Sequence, residues 1–171
     1  MTKSSNNYFP NHPHTSRVWI FQSDKGLNTS EITIIENRIS LFLNSWKSHG
    51  QQMKAEYKIM YNQFVILVLD KSFADVSGCG IDSLVHELKS CQQIIGNDFF
   101  NNGNVAFLKS NEVFILNHLA IKKAIEDGII GFDNMIFINT IITLEELNSN
   151  WLVSVEESWV SKFFNSKSLS L

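Results

Sequence analysis

Cysteine, proline and arginine are all scarce in this chain. Two cysteines, Cys79 and Cys91, in 171 residues cannot form a disulfide framework, so a reducing compartment, the cytoplasm, is the expectation. Ordinary usage of about 5% would give roughly eight prolines. The chain has two, Pro10 and Pro13, so the body from Thr15 onward has no X-Pro switch and no proline-rich linker. Arg17 and Arg38 are the only arginines, and 14 cations face 17 acids for a net charge of −3. No basic field favours nucleic acid or an anionic membrane, and the planar fork that reads phosphate is rare. The longest purely apolar run, Phe64 to Leu69, is far below the roughly 18–20 residues of a membrane span. Hydrophobic residues, at 44% against 18% charged, are abundant enough for a sizeable core and exclude disordered, collagen-like and coiled-coil classes.

Residues 1–16 are polar, with Tyr8 and Phe9 as the only large apolar anchors. They read as a disordered tail, residues 17–164 as a single α+β domain and residues 165–171 as a frayed end. Arg17–Gln22 is β-branched and aromatic and predicts a strand. Asn28 and Glu31 form a capping box, and Ile32, Ile35, Ile39, Phe42, Leu43 and Trp46 recur at helical spacing. That helix is expected over 29–48, ending at His49-Gly50. Ala55, Tyr57 and Ile59 alternate with charged residues, so 55–61 predicts a half-buried strand. A short turn leads to Phe64–Leu69, whose doubly apolar pattern predicts a central strand.

A helix from Asp82 to Ile95 follows, with Leu84, Val85, Leu88, Cys91 and Ile95 on one face and Asp82 as its cap. Asn104–Lys109 and Glu112–Leu116 form a hairpin across Ser110-Asn111. Beyond it come a helix over 118–127 capped by Asn117, a strand over 135–142, a short helix boxed by Thr143 and Glu146, and a last helix over 156–164. The first six elements give a ferredoxin-like βαββαβ core, with a C-terminal β-α-β-α extension on a mainly antiparallel sheet and both helices on one face. A doubly wound parallel sheet is disfavoured, because the Tyr61-Asn62 turn is too short for a parallel crossover.

One segment carries residue types that suggest more than folding: Ser77-Gly78-Cys79-Gly80-Ile81-Asp82-Ser83. Its glycines bring main-chain N–H groups close to anything bound, and the following helix directs its positive end there. The candidate ligand-binding set is Asp70, Ser77, Gly78, Gly80, Asp82 and Ser83, with Asp70 at the mouth of a cleft beyond the central strand. Cys79 is a candidate nucleophile favoured as thiolate, with His86, one turn beyond Asp82, as its base. His49 and His118 are the other histidines of the body. The same residues also read as a glycine turn with a buried small cysteine and Asp82 as a helix cap.

Gly78-x-Gly80-x-x-Ser83 lacks the third glycine of a dinucleotide fingerprint, and no Gly-Lys pair exists to build a Walker A loop. No CxxC, HxH or HExxH occurs in the body, so neither a metal nor another cofactor is expected. The partner is then a small ligand or a protein, and a homodimer through an edge strand or the last helix stays open. Trp46 fits the first helix's buried stripe, and Trp159 with Phe163 seals the last helix onto the body.

Tyr61-Asn62-x-Phe64-x-Ile66-Leu67-x-x-Asp70-x-Ser72 and Ser77-Gly78-Cys79-x-Ile81-Asp82-Ser83, with Trp46-x-x-His49-Gly50 and Ser158-Trp159, resemble a family of small bacterial proteins of about this length. Its members often carry the automatic label "ABC transporter ATPase". The resemblance spans roughly Arg17 to Phe164. It implies a family without an established activity, and it highlights the same loop. A non-catalytic binding or interaction module is therefore the expected function, with cysteine-dependent chemistry through Cys79 as the alternative.

Overall fold

The computed structural model describes residues 6–72 and 76–164. The fold is α+β with antiparallel sheets, and its contacts divide it into two compact units. One comprises the chain up to Phe100 together with Asn139–Ser149. The other comprises Asn101–Ile138 and the chain from Asn150.

In the first unit, β1 (Arg17–Gln22), β4 (Ala55–Met60) and β5 (Phe64–Leu69) form a sheet in the order β1-β5-β4. The chain between β1 and β4 makes α1 (Thr29–Ser45) and a small hairpin, β2 (Lys47–Ser48) with β3 (Gln51–Gln52). β4 and β5 are antiparallel, with Met60 opposite Phe64 and Ala55 opposite Leu69. The turn between them is closed by Gln63 N–H donating to Met60 O at 3.0 Å, with Tyr61 and Asn62 left-handed at φ 54° and 48°. This is the expected hairpin, with Tyr61, Asn62 and Gln63 between the paired Met60 and Phe64, and left-handed residues in the turn match the twist of its strands.

Every residue of β5 is buried. Strand alternation divides them: Val65, Leu67 and Leu69 pack with Ile35 and Ile39 of α1 and with Leu84, Leu88 and Cys91 of α2 (Gly78–Ile95). Both helices therefore cover one face, as expected. Arg38 Nε bonds Glu87 at 2.7 Å and its Nη2 bonds Ser90 Oγ at 3.1 Å, tying the helices together.

Several sequence expectations need correction. Residues 6–16 are not a free tail: Phe9 is fully buried, Asn6 N–H donates to Asn148 O at 3.1 Å, and Lys58 Nζ donates to Tyr8 O. Burying one phenylalanine is worth about 2–3 kcal/mol and anchors this polar strap together with these bonds. Residues 1–5 and 165–171 lie outside the described residues. α1 stops at Ser45 because Trp46 leaves the helix at ψ 114° and donates from Nε1 to Gly80 O at 3.2 Å. His49 and Gly50, at φ 49° and 79°, then turn the β2–β3 hairpin instead of capping a helix.

The strand expected fourth in this sheet, β6 (Asn104–Lys109), instead pairs in a separate sheet. Its place beside β1 is filled by residues 142–143. Val18 N–H donates to Ile142 O at 2.9 Å, and Arg17 bridges Thr143.

The second unit holds that sheet in the order β7-β6-β8-β9, with β7 at Glu112–Asn117, β8 at Met135–Phe137 and β9 at Leu152–Ser154. β6 and β7 meet across Ser110 and Asn111, both left-handed, as the sequence predicts. A 3-10 turn over His118–Ala120 leads into α3 (Ile121–Glu126), and Gly128 ends it at φ 74°. The strand expected over 135–142 is only three residues long, because residues 142–143 are drawn to β1. Thr143 and Glu146 do box α4 (Leu144–Asn150), with Thr143 N–H donating to Glu146 Oε2 at 3.1 Å and Glu146 N–H to Thr143 Oγ1 at 3.3 Å. The last helix is a 3-10 segment, Trp159–Phe163, in which Val160 is fully buried while Trp159 stays 42% exposed.

Candidate functional site

α2 begins four residues earlier than its apolar pattern suggests. Ser77 is the cap: its Oγ accepts from Gly80 N–H at 3.2 Å. Gly78, Cys79 and Gly80 are therefore the first turn of the helix, and Asp82 lies beyond it, exposed. A serine cap stabilises a helix by about 1 kcal/mol, which offsets part of the roughly 2 kcal/mol that two helical glycines cost.

The two glycines differ. A Cβ on Gly80 would lie 2.9 Å from Val76 Cγ2 and 3.5 Å from Trp46 Nε1, so close packing requires glycine there. A Cβ on Gly78 would meet nothing within 4 Å. Ser83 Oγ donates to Cys79 O at 2.8 Å, an ordinary bond back along the helix. Gly78, Cys79, Asp82 and Ser83 together present an exposed surface.

Cys79 is a free, exposed thiol. His86 is seven residues further along the same helix, about 10 Å along its axis, and is also exposed. The helix does not bring the two together, and among the described residues no basic group pairs with the Cys79 thiol. Cys91, the other free cysteine, is buried against the sheet, and burial pushes its thiol up from the usual value.

Asp70 is placed elsewhere. It follows β5 in register with Phe64, Ile66 and Val68, on the face turned away from α1 and α2. Only 3% exposed, its carboxylate accepts from Ser72 N–H at 3.0 Å and Ser72 Oγ at 2.5 Å, and pairs with Lys54 Nζ at 3.3 Å. The Ser72 hydroxyl, outweighing burial, holds this carboxyl below its usual range, and Lys54 adds to the effect. Asp70 and the first turn of α2 thus face opposite sides of the sheet.

On the Asp70 side lie groups that the sequence did not single out as a set. The His12 imidazole, in the strap, has a side chain only 4% exposed; its Nε2 is 3.5 Å from Glu56 Oε2 and its Nδ1 has no hydrogen-bond partner. Burial pushes His12 down, against the pull of Glu56. His12, Lys54, Glu56, Asp70 and Ser72 form one polar cluster at the sheet's end. The alternation of Glu56 and Lys58 was visible in the sequence, but nothing there indicated that His12 would fold back onto it.

A second polar knot, at the far end of β1, was also missed. Buried Asn97 donates from Nδ2 to Ser23 Oγ at 3.1 Å, and Gln63 Nε2 donates to Ser23 O at 2.5 Å. Asp24 N–H donates to Asp98 O and Asp98 N–H to Asp24 Oδ1, each at 2.8 Å. These bonds fasten the chain after α2 to the end of β1.

No helix among the described residues is long and apolar enough to cross a membrane. No protein-family model, no curated protein and no solved structure matches this chain.

Proposed function

We propose that the protein is a non-catalytic, cytoplasmic interaction module of the small bacterial family that its motifs resemble. The observation that supports this reading is the occupation of the SGCGID loop. Ser77 caps α2, Gly80 seats Trp46 and Ser83 bonds the helix, so the polar groups serve the fold and leave an exposed first turn as a contact surface. A reacting centre would need a base within hydrogen-bond reach of Cys79, and His86 is about two turns away. Two free cysteines fit a reducing compartment. On this reading β1, α1, β4, β5 and α2 are a ferredoxin-like arrangement whose fourth strand position is taken by residues 142–143.

Cysteine chemistry is the second reading, favoured by one feature: the Cys79 thiol is exposed in the first turn of a helix. Turnover separates the two. Pure full-length protein with magnesium and ATP should release no phosphate, and Cys79→Ser should leave folding and any self-association unchanged. Magnesium-dependent hydrolysis, or an activity abolished by Cys79→Ser in a variant that still folds, would overturn the proposal.

A further inference from the structure

An unpaired sheet edge is a template for another strand, and proteins normally blunt it. The outer edge of β1 is closed by Ile142 and Thr143. β4, the edge strand of its sheet, carries the charged residues Glu56 and Lys58, and β9 is only three residues long. β7 has none of these protections. Its six residues, Glu112–Asn117, contain no proline, run against β6 without a bulge, and carry no charge after Glu112. Among the described residues no strand pairs with its outer edge.

The hairpin fixes which groups face outward. In a two-residue hairpin the residues flanking the turn, here Lys109 and Glu112, exchange both backbone bonds, and the pattern then alternates. Phe114 and Leu116 thus bond inward to β6. Val113, Ile115 and Asn117 turn their N–H and C=O groups outward. Phe114 and Leu116 also pack on the unit's core, leaving Val113 and Ile115 on the other face.

We propose that the outer edge of β7 pairs antiparallel with β7 of a second copy of this chain, about a two-fold axis at Ile115. This contact goes beyond the function proposed above, because it uses a different surface from the first turn of α2. The strand is self-complementary in this register. Val113 falls opposite Asn117 of the second copy and Ile115 opposite Ile115, so all three outward-facing residues are paired. Glu112 falls opposite His118, a carboxylate facing an imidazole, and no like charges meet. Sliding the register by two residues either way loses bonded pairs and separates Glu112 from His118. A strand pair of six residues is smaller than a standard interface of about 1,600 Å², so the association is weak and concentration-dependent.

Sedimentation velocity of the full chain from about 10 to 300 µM should show the average mass rising toward the dimer. Ile115→Lys would place two ammonium groups opposite each other and should raise the dissociation constant about tenfold or more. In a Cys79→Ser background, Ile115→Cys should cross-link as a dimer under mild oxidation, because Cα atoms of a bonded antiparallel pair lie about 5.5 Å apart, within disulfide range. Tyr61→Cys, at an exposed turn in the other unit, should not. A chain that stays monomeric throughout, or a dimer insensitive to Ile115→Lys with no Ile115→Cys cross-link, overturns the proposal. If Ile115→Lys loses its circular dichroism signal, the cross-link alone decides. A monomeric result would leave the non-catalytic reading intact, whereas thiol-dependent turnover would sink that reading and leave the dimer standing.

Discussion

Asp70 and His12 both make the protein less stable in acid. The Asp70 carboxyl is held below its usual 3.8, so the unfolded chain takes up that proton first. Its contribution is complete above about pH 4 and is lost as pH falls through the folded value. His12 acts in the same direction at higher pH. Burial lowers it from 6.5, so the unfolded chain binds its proton more tightly, and stability declines as pH drops below about 6.5. Chemical denaturation from pH 8 to 3 should therefore show two successive losses, and His12→Gln should flatten the upper one. Asp70→Ala leaves Ser72 and Lys54 without their acceptor and should cost about 1–3 kcal/mol at pH 7. A change under about 0.5 kcal/mol would show that the cluster is not a structural anchor.

Among the elements, the start of α2 is the most informative. Gly78 is helical with open space around it, so Gly78→Ala should stabilise by up to about 1 kcal/mol, mainly by restricting the unfolded chain. Gly80→Ala presses on Val76 and Trp46 and should destabilise instead, by about 1 kcal/mol. Thermal melts of the two variants should move in opposite directions; equal shifts would contradict the packing account. The same region shows where sequence reasoning reaches its limit. Turn chemistry is local, so the hairpins at Tyr61-Asn62 and Ser110-Asn111 were readable from residue type and spacing, as were both capping boxes. Two glycines around a cysteine also carry a strong local signal, and it points to a loop. The Ser77 cap and the Trp46 bond across the fold overrode it.

For the whole molecule, the limits are those of non-local competition. Ile142 reads as the end of a strand and Thr143 as the start of a capping box, yet both occupy the place beside β1. That displaces β6 into a second sheet, which no local pattern could reveal. Phe9 likewise looked like a stray aromatic in a polar tail until the sheet face that it covers was known. Cys91 is buried, as its place on the apolar face of α2 suggested, whereas Cys79 is exposed and is not the buried structural cysteine that its glycine turn also allowed; Asp70 and the loop, expected at one cleft, lie on opposite sides of the sheet. Alternation along β5 contained that information once the helices were assigned to the odd-numbered face.

Cys79 alkylation kinetics test the proposal that the SGCGID turn builds a helix and houses no reacting thiol. Brief iodoacetamide labelling of native protein, followed by mass spectrometry, should modify Cys79 and leave Cys91 silent until denaturant is added. The Cys79 rate in native protein should lie within about tenfold of its rate in the urea-unfolded chain, as for an exposed cysteine with no paired base. A native rate about a hundredfold or more above the unfolded one would mean an activated nucleophile and would contradict the claim.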